Sequence, residues 1–134
     1  MYPHVLLIED DRESRDMLAL LLQSEGMYVT LALNGVDGLQ ALEAIQALPD
    51  IILLDLQMPL MSGQEFFTAL KKTHADASRI PVVVLTGTNI VLPEAAATIR
   101  KPFHLDDLIT AIHDTVSAHE GRRRAARKRA ASQE

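Results

Sequence analysis

A chain of 134 residues, 48% apolar and 23% charged, has the length and composition of one globular domain around a single core and is too short for two. The absence of cysteine excludes disulfide frameworks, thiolate metal sites and thiol nucleophiles, and the longest apolar runs, Met17 to Leu22 and Ile80 to Leu85, fall far short of the about 18 residues that a membrane span needs. The net charge of −5 hides an asymmetry: residues 121–134 hold six basic side chains and one acid, so residues 1–120 carry −10, which disfavours a nucleic-acid surface on the body and favours a cation site.

Glu9 and Asp10 interrupt the N-terminal apolar stretch before it could serve as a signal peptide, so the expectation is an unexported, cytoplasmic protein with no membrane partner. Short β-branched runs alternate along the chain with segments of helical periodicity. His4 to Ile8 reads as a buried strand. Arg12 to Glu25 follows as a helix with Met17, Leu20 and Leu21 on its inner face, capped by Asp11 and stopped by Gly26. Met27 to Ala32 is a second strand. Gly35 to Ala47 is a second helix carrying Val36, Leu39, Leu42 and Ile45 inward, ended by Pro49, and Asp50 to Leu54 is a third strand. Ser62 and Glu65 have the spacing of a capping box, which starts a helix at Gly63 that runs to about Thr73 with Phe66, Phe67 and Leu70 inward. A polar loop, His74 to Arg79, leads to Pro81 to Leu85, apolar throughout as in a parallel strand covered on both faces. Ala97 to Arg100 is a short fifth strand, and a last helix from Leu105 to about His119 aligns Leu105, Leu108, Ile109, Ile112 and Val116.

Five strands alternating with helices predict an α/β fold, a doubly wound five-stranded parallel sheet, whose site lies at the C-terminal ends of the strands. Four of those ends carry unusual chemistry. The first ends in Glu9, Asp10 and Asp11 and the third in Asp55, each after four apolar residues. These strands are neighbours in such a sheet, so their carboxylates converge and repel unless a divalent cation lies between them. Mg²⁺ suits the cluster, because it takes oxygen ligands and leaves room for a phosphate in its shell. Thr86 after the fourth strand and Lys101 after the fifth would neutralise the oxygens of a phosphoryl group arriving on a nucleophilic Asp. The five histidines are scattered and suggest no ligand cluster, and Met58, Met61, Phe66 and Phe67 read as packing residues.

In order and strand context these motifs, with Asp55-Leu56-Gln57-Met58-Pro59, Met61-Ser62-Gly63, Thr86-Gly87 and Lys101-Pro102-Phe103, resemble the receiver (CheY-like) domain of two-component response regulators. The resemblance covers residues 4 to about 119 and implies a flavodoxin-like strand order, 2-1-3-4-5. It implies that Asp10 and Asp55 bind Mg²⁺ directly, Glu9 through water and Gln57 through its backbone carbonyl. It also implies that Asp55 is the phosphoacceptor, that Thr86, Gly87 and Lys101 contact the phosphoryl group, that Thr86 acts as a switch, and that Gln57 and Thr88 tune autodephosphorylation. A cis peptide bond before Pro102 belongs to the same pattern. The partners it implies are a histidine kinase or histidine phosphotransfer protein and a downstream output protein, with homodimerisation left open. The protein would then be no enzyme in the ordinary sense, but an acceptor that assists its own phosphorylation and dephosphorylation.

Two departures stand out. Residues 87 to 96 are too few for a loop, a full helix and a second loop, and Pro93 interrupts them, so the fourth helix is expected to be shortened or absent. Thr98 occupies the fifth-strand position where the family usually has an aromatic switch. Of the competing readings, an aspartyl-phosphate hydrolase lacks the second Asp that Gln57 replaces, and a nucleotide or flavin carrier would need a Gly-rich loop where three acids stand. A receiver-like interaction module that takes no phosphate is the remaining alternative. The division expected is a receiver domain over 1–120 and a basic tail over 121–134. The tail's basic residues could bind nucleic acid or an acidic partner, or simply extend the last helix through its alanines; the solvated reading is favoured, and nucleic acid is a partner only through that tail.

Overall fold

The computed structural model describes residues 2–57, 59–73 and 75–132. Met58, expected to pack in its loop, and His74, expected to open a polar loop, lie outside the described residues. Five strands, β1 (His4–Ile8), β2 (Tyr28–Ala32), β3 (Ile51–Asp55), β4 (Val82–Thr86) and β5 (Ala97–Arg100), form one parallel sheet in the order β2-β1-β3-β4-β5. That order matches the doubly wound expectation. The helices are α1 (Arg12–Ser24), α2 (Gly35–Ala44), α3 (Gly63–Lys71), the single turn α4 (Ala75–Ser78) and α5 (Leu105–Ser132).

The central strands are unbroken apolar runs because both sheet faces are covered. β3 and β4 are buried at every position. Alternate side chains enter opposite cores, as the two-residue repeat of a strand requires. Val5, Leu7, Leu53 and Val83 pack with Leu22 of α1 and Leu108 and Ile112 of α5. Leu6, Ile8, Leu54 and Val84 pack with Leu42 of α2 and with Phe66, Phe67 and Leu70 of α3. Each such aliphatic side chain contributes about 1.5–3 kcal/mol by leaving water. The fit is close at Gly38, where a Cβ would stand 2.5 Å from Ile8 Cδ1, so α2 lies on β1 only because that residue has no side chain.

The α1 face differs from expectation. Leu18, Ala19 and Leu22 are buried, while Met17 and Leu20 are 59% and 65% exposed and Leu21 is half-buried. Six consecutive apolar residues contain two stripes of helical spacing, and only docking against the sheet selects one. On α2 the expected inward Val36 is exposed and the helix ends at Ala44 rather than Ala47. Ile45 turns to extended backbone, ψ 136°, so that Leu48 and Pro49 can lead the chain back under β3. Pro49 lies five residues beyond Ala44, and its missing N–H denies a helical partner only to the Ile45 carbonyl. The segment expected as a loop after α3 contains α4, which buries Ala77.

Between β4 and β5 residues 87–96 contain no helix, only a turn at Pro93 and Glu94, as the count of residues required. Leu92 packs on the α3 core in place of the missing helix, and the Ala96 N–H donates to Val82 O at 2.8 Å to rejoin the sheet. The tail is not a separate coil. α5 continues through Gly121 to Ser132, because Ala and Arg are strong helix formers and one glycine costs only about 1 kcal/mol.

Candidate functional site

All five strands run parallel, so their C-terminal ends share one edge of the sheet. Ile8 is in register with Leu54, and Asp55 with Leu85, which places the residue after β1 beside the last residue of β3. Three polar side chains at this edge are almost wholly enclosed: Glu9 is 2% exposed, Asp55 1% and Thr86 2%. Lys101, the residue after β5, donates from its backbone N–H to Thr86 O at 2.8 Å, and its ammonium pairs with Asp55 Oδ2. The Lys101–Pro102 bond is cis.

The second Asp55 oxygen, Oδ1, accepts the Gln57 N–H at 2.8 Å. Burial alone would raise the Asp55 pKa, but hydrogen bonds from the Glu9 carboxyl, the Lys101 ammonium and the Gln57 N–H hold it below the ordinary value. Glu9 moves the other way. Burial, then the neighbouring Asp55 carboxyl, pushes it from 4.5 up to about 8. The pair therefore holds one proton on Glu9 near neutral pH, between two carboxyl groups that cannot both ionise cheaply. Glu9 Oε1 accepts the Asp11 N–H at 3.1 Å, whereas no N–H or O–H donor reaches its buried Oε2. The strand exit is also held by Arg15, whose Nη1 donates to Glu9 O at 3.3 Å.

Asp10 lies exposed on the rim of the same edge, and Asp11 is the N-cap of α1, accepting the Ser14 N–H at 2.9 Å. The Thr86 hydroxyl is turned toward Thr88: Oγ1 to Oγ1 is 3.1 Å, and the Thr88 N–H donates to Thr86 Oγ1 at 3.1 Å. Thr88 Oγ1 in turn accepts the Ile90 N–H at 3.4 Å. Gly87 is open, with nothing within 4 Å of where a Cβ would be. Thr98 stands exposed on β5.

The loop after β3 is fixed by α3. Ser62 and Glu65 form the expected reciprocal capping box, both hydrogen bonds at 3.1 Å. A Cβ on Gly63 would stand 2.5 Å from Leu56 and 3.1 Å from Leu92, so glycine lets the two loops flanking the site meet. Leu60, in that loop, is 80% exposed with φ +73°, a left-handed conformation unusual for leucine. Sequence reading missed Leu60, Arg15 and Leu92. Periodicity carries no signal for a backbone angle or for a side chain that replaces a helix.

The donor set suits a hard divalent cation. All ligand atoms on offer are oxygens, and no hydrogen-bond donor reaches the buried Oε2 of Glu9 beside the Asp55 carboxylate. Among the described residues no group of three His, Cys, Asp or Glu side chains, Glu9, Asp10 and Asp55 included, is placed to hold a metal ion by itself, so a cation here would draw the rest of its shell from backbone carbonyl, water or substrate oxygens.

The model of the response regulator receiver domain family matches residues 5–113. The chain belongs to that family. Curated relatives include the uncharacterized transcriptional regulatory protein YkoG of Bacillus subtilis, 32% identical over 81% of this chain and 49% of its own length. The transcriptional regulatory protein CpxR of Escherichia coli is 34% identical over 81% of this chain and 47% of its own. The chain thus spans about half the length of these relatives. A solved signal receiver domain of a signal transduction histidine kinase from Syntrophus aciditrophicus superposes with a TM-score of 0.74 at 26% identity, covering 87% of this chain and 91% of that one. The receiver domain is no enzyme of the ordinary kind. Among its described residues no helix is long and apolar enough to cross a membrane.

Proposed function

We propose that this receiver domain accepts a phosphoryl group on Asp55 from a phosphohistidine of a histidine kinase or phosphotransfer protein in the cytoplasm, in a Mg²⁺-dependent reaction, and signals through the protein contacts that follow. The observation that carries the reading is the enclosed Asp55 carboxylate, ion-paired with Lys101 and facing Glu9 at the end of β3. The curated relatives are named as transcriptional regulators, which supports an output partner of that kind.

Glu9, Asp10, Asp55 and the Gln57 carbonyl would hold the cation. A bound Mg²⁺ would neutralise phosphoryl oxygens and lower the repulsion between nucleophile and incoming dianion. A carboxylate oxygen of Asp55 attacks phosphorus as the bond to the donor imidazole nitrogen breaks. An acyl phosphate forms, and the imidazole leaves with the bonding electron pair and takes up a proton. Asp55 is suited to this because Lys101 and the Gln57 N–H keep it ionised despite burial. Lys101 then pairs with the phosphoryl oxygens, and the Thr86 hydroxyl turns from Thr88 to donate to one of them, with the open backbone at Gly87 leaving space. Gln57 and Thr88 flank the approach of hydrolytic water and set autodephosphorylation.

Incubation with an acyl-phosphate donor and Mg²⁺, followed by intact mass, tests this. One added phosphoryl mass on the native chain and none on Asp55→Asn is expected. No gain on the native chain, or an equal gain on the variant, overturns the reading.

A further inference from the structure

The continuous α5 creates a feature that the acceptor site does not use. By Val116 to Glu120 the helix has reached the N-terminal edge of the sheet, where Val116, His119 and Glu120 line a cleft of about 430 Å³ with Asp50, Asp76 and Arg79. Residues 121–132 therefore extend about 18 Å past that edge, at the pole opposite Glu9, Asp10 and Asp55. They are exposed throughout, contain no acid, and carry Arg122, Arg123, Arg124, Arg127, Lys128 and Arg129.

At about 100° per residue, Arg123 and Arg127 fall on the side of the cleft, beside Asp50, Asp76 and Glu120. Arg122 lines a second cleft, with Lys71, Arg79 and Glu94, while Arg124, Lys128 and Arg129 occupy the outward side of the cylinder. The apolar residues here are all alanine, so the helix offers no large side chain for burial in a lipid surface. Five of the six cations are Arg, whose planar fork matches phosphate oxygens in pairs. A cylinder about 10–12 Å across, cationic along its outward side and flanked by Arg122, fits a groove about 12 Å wide walled by phosphates on both sides. A flat anionic surface would engage only one edge of that arc. The deep, narrow major groove of A-form RNA would not admit the helix.

We propose that the α5 extension is a docking element for the phosphate backbone of B-form duplex DNA, independent of sequence and separate from the acceptor site. The acidic body, −10 over residues 1–120, keeps DNA off the rest of the surface, so contact is confined to the rod. Four to six phosphate contacts give weak binding that falls by about 10²-fold to 10³-fold between 50 and 200 mM salt.

The test is fluorescence anisotropy of a labelled random-sequence DNA duplex titrated with the full chain across that salt range. The expected result is saturable binding at low salt with that steep dependence. A quadruple variant, Arg122→Gln, Arg124→Gln, Lys128→Gln and Arg129→Gln, should weaken binding at least about tenfold, while Lys at the three Arg positions preserves most of it. Glutamine keeps helix propensity, and circular dichroism of the variant checks the rod. If the variant loses helix, the salt slope and the lysine variant decide. The proposal is overturned if binding is absent at 50 mM salt, insensitive to salt or unchanged in a helical quadruple variant. Equal affinity for an A-form RNA duplex or for phosphatidylserine vesicles overturns it too. So does salt-sensitive self-association of the native chain that the quadruple variant abolishes, which would make a second copy's acidic body the occupant. None of these outcomes bears on Asp55.

Discussion

At the scale of single residues, Glu9 and Asp55 divide the work of one carboxylate pair. Asp55 is kept anionic by Lys101, and Glu9 absorbs the repulsion by keeping a proton up to about pH 8. The folded form of Glu9 therefore binds a proton that the unfolded chain has already released above 4.5, so stability falls as pH rises from 4.5 through about 8. For Asp55, whose pKa is lowered, the sign is opposite, and its contribution is lost as pH falls below the ordinary carboxylate value. Thermal unfolding without divalent cations should thus show a falling midpoint between pH 6 and 9, and Glu9→Gln, which cannot ionise, should flatten it. Millimolar Mg²⁺ should raise the midpoint more at pH 9 than at pH 6. A native profile that is flat across this window would remove the argument. Glu9 and Asp55 were legible in the sequence because acids directly after apolar strands have few bland explanations. Their unequal protonation was not, because it depends on how burial acts on Glu9 and on which carboxylate the Lys101 ammonium and the Gln57 N–H reach.

At the scale of elements, the shortened β4–β5 connection matters most. Counting residues was enough to predict the absence of a helix, since ten positions cannot hold one together with two loops. That Leu92 fills the space, and that Thr86, Thr88 and Ile90 are linked through successive hydrogen bonds, is tertiary information. This linkage gives the segment a physical connection to the proposed acceptor site that needs no aromatic side chain at position 98. When the Thr86 hydroxyl turns to a phosphoryl oxygen, the Thr88 N–H loses its acceptor and the turn must repack. We expect hydrogen exchange on phosphorylation to slow across residues 87–94 as the repacked turn closes on the dianion, by roughly tenfold, or about 1.4 kcal/mol of local ordering. Unchanged exchange there, with changes elsewhere, would show that the signal leaves by another element. The face of α1 illustrates the opposite limit. The run Met17 to Leu22 announced a helix but could not say which stripe faces the sheet, and the structure leaves Met17 and Leu20 in solvent.

At the scale of the whole molecule, α5 joins two bodies of different charge and different stability. Its first half is part of the core through Leu108, Ile112 and Val116, whereas in 121–132 Arg123, Ala126 and Arg127 border the body at one cleft and Arg122 at another. The sequence showed the charge of the tail but not its shape, because no residue type there forbids a helix and none demands a partner. An exposed helix of about twelve residues is marginal by itself, so the extension persists because its N-terminal end is already nucleated by the packed half of α5. Stability should therefore pass in one direction. Deleting residues 121–134 should leave a cooperative fold that is phosphorylated on Asp55 like the full chain. The deletion takes the net charge from −5 to −10 and removes Arg123 and Arg127 from beside Asp50, Asp76 and Glu120. In about 20 mM salt that should lower unfolding free energy by up to about 1 kcal/mol, and the loss should vanish near about 0.5 M salt, where charges this exposed are screened. Urea denaturation of both chains at the two salt concentrations measures it. A deletion that destabilised the fold by several kcal/mol regardless of salt would mean that the extension packs into the body rather than projecting from it.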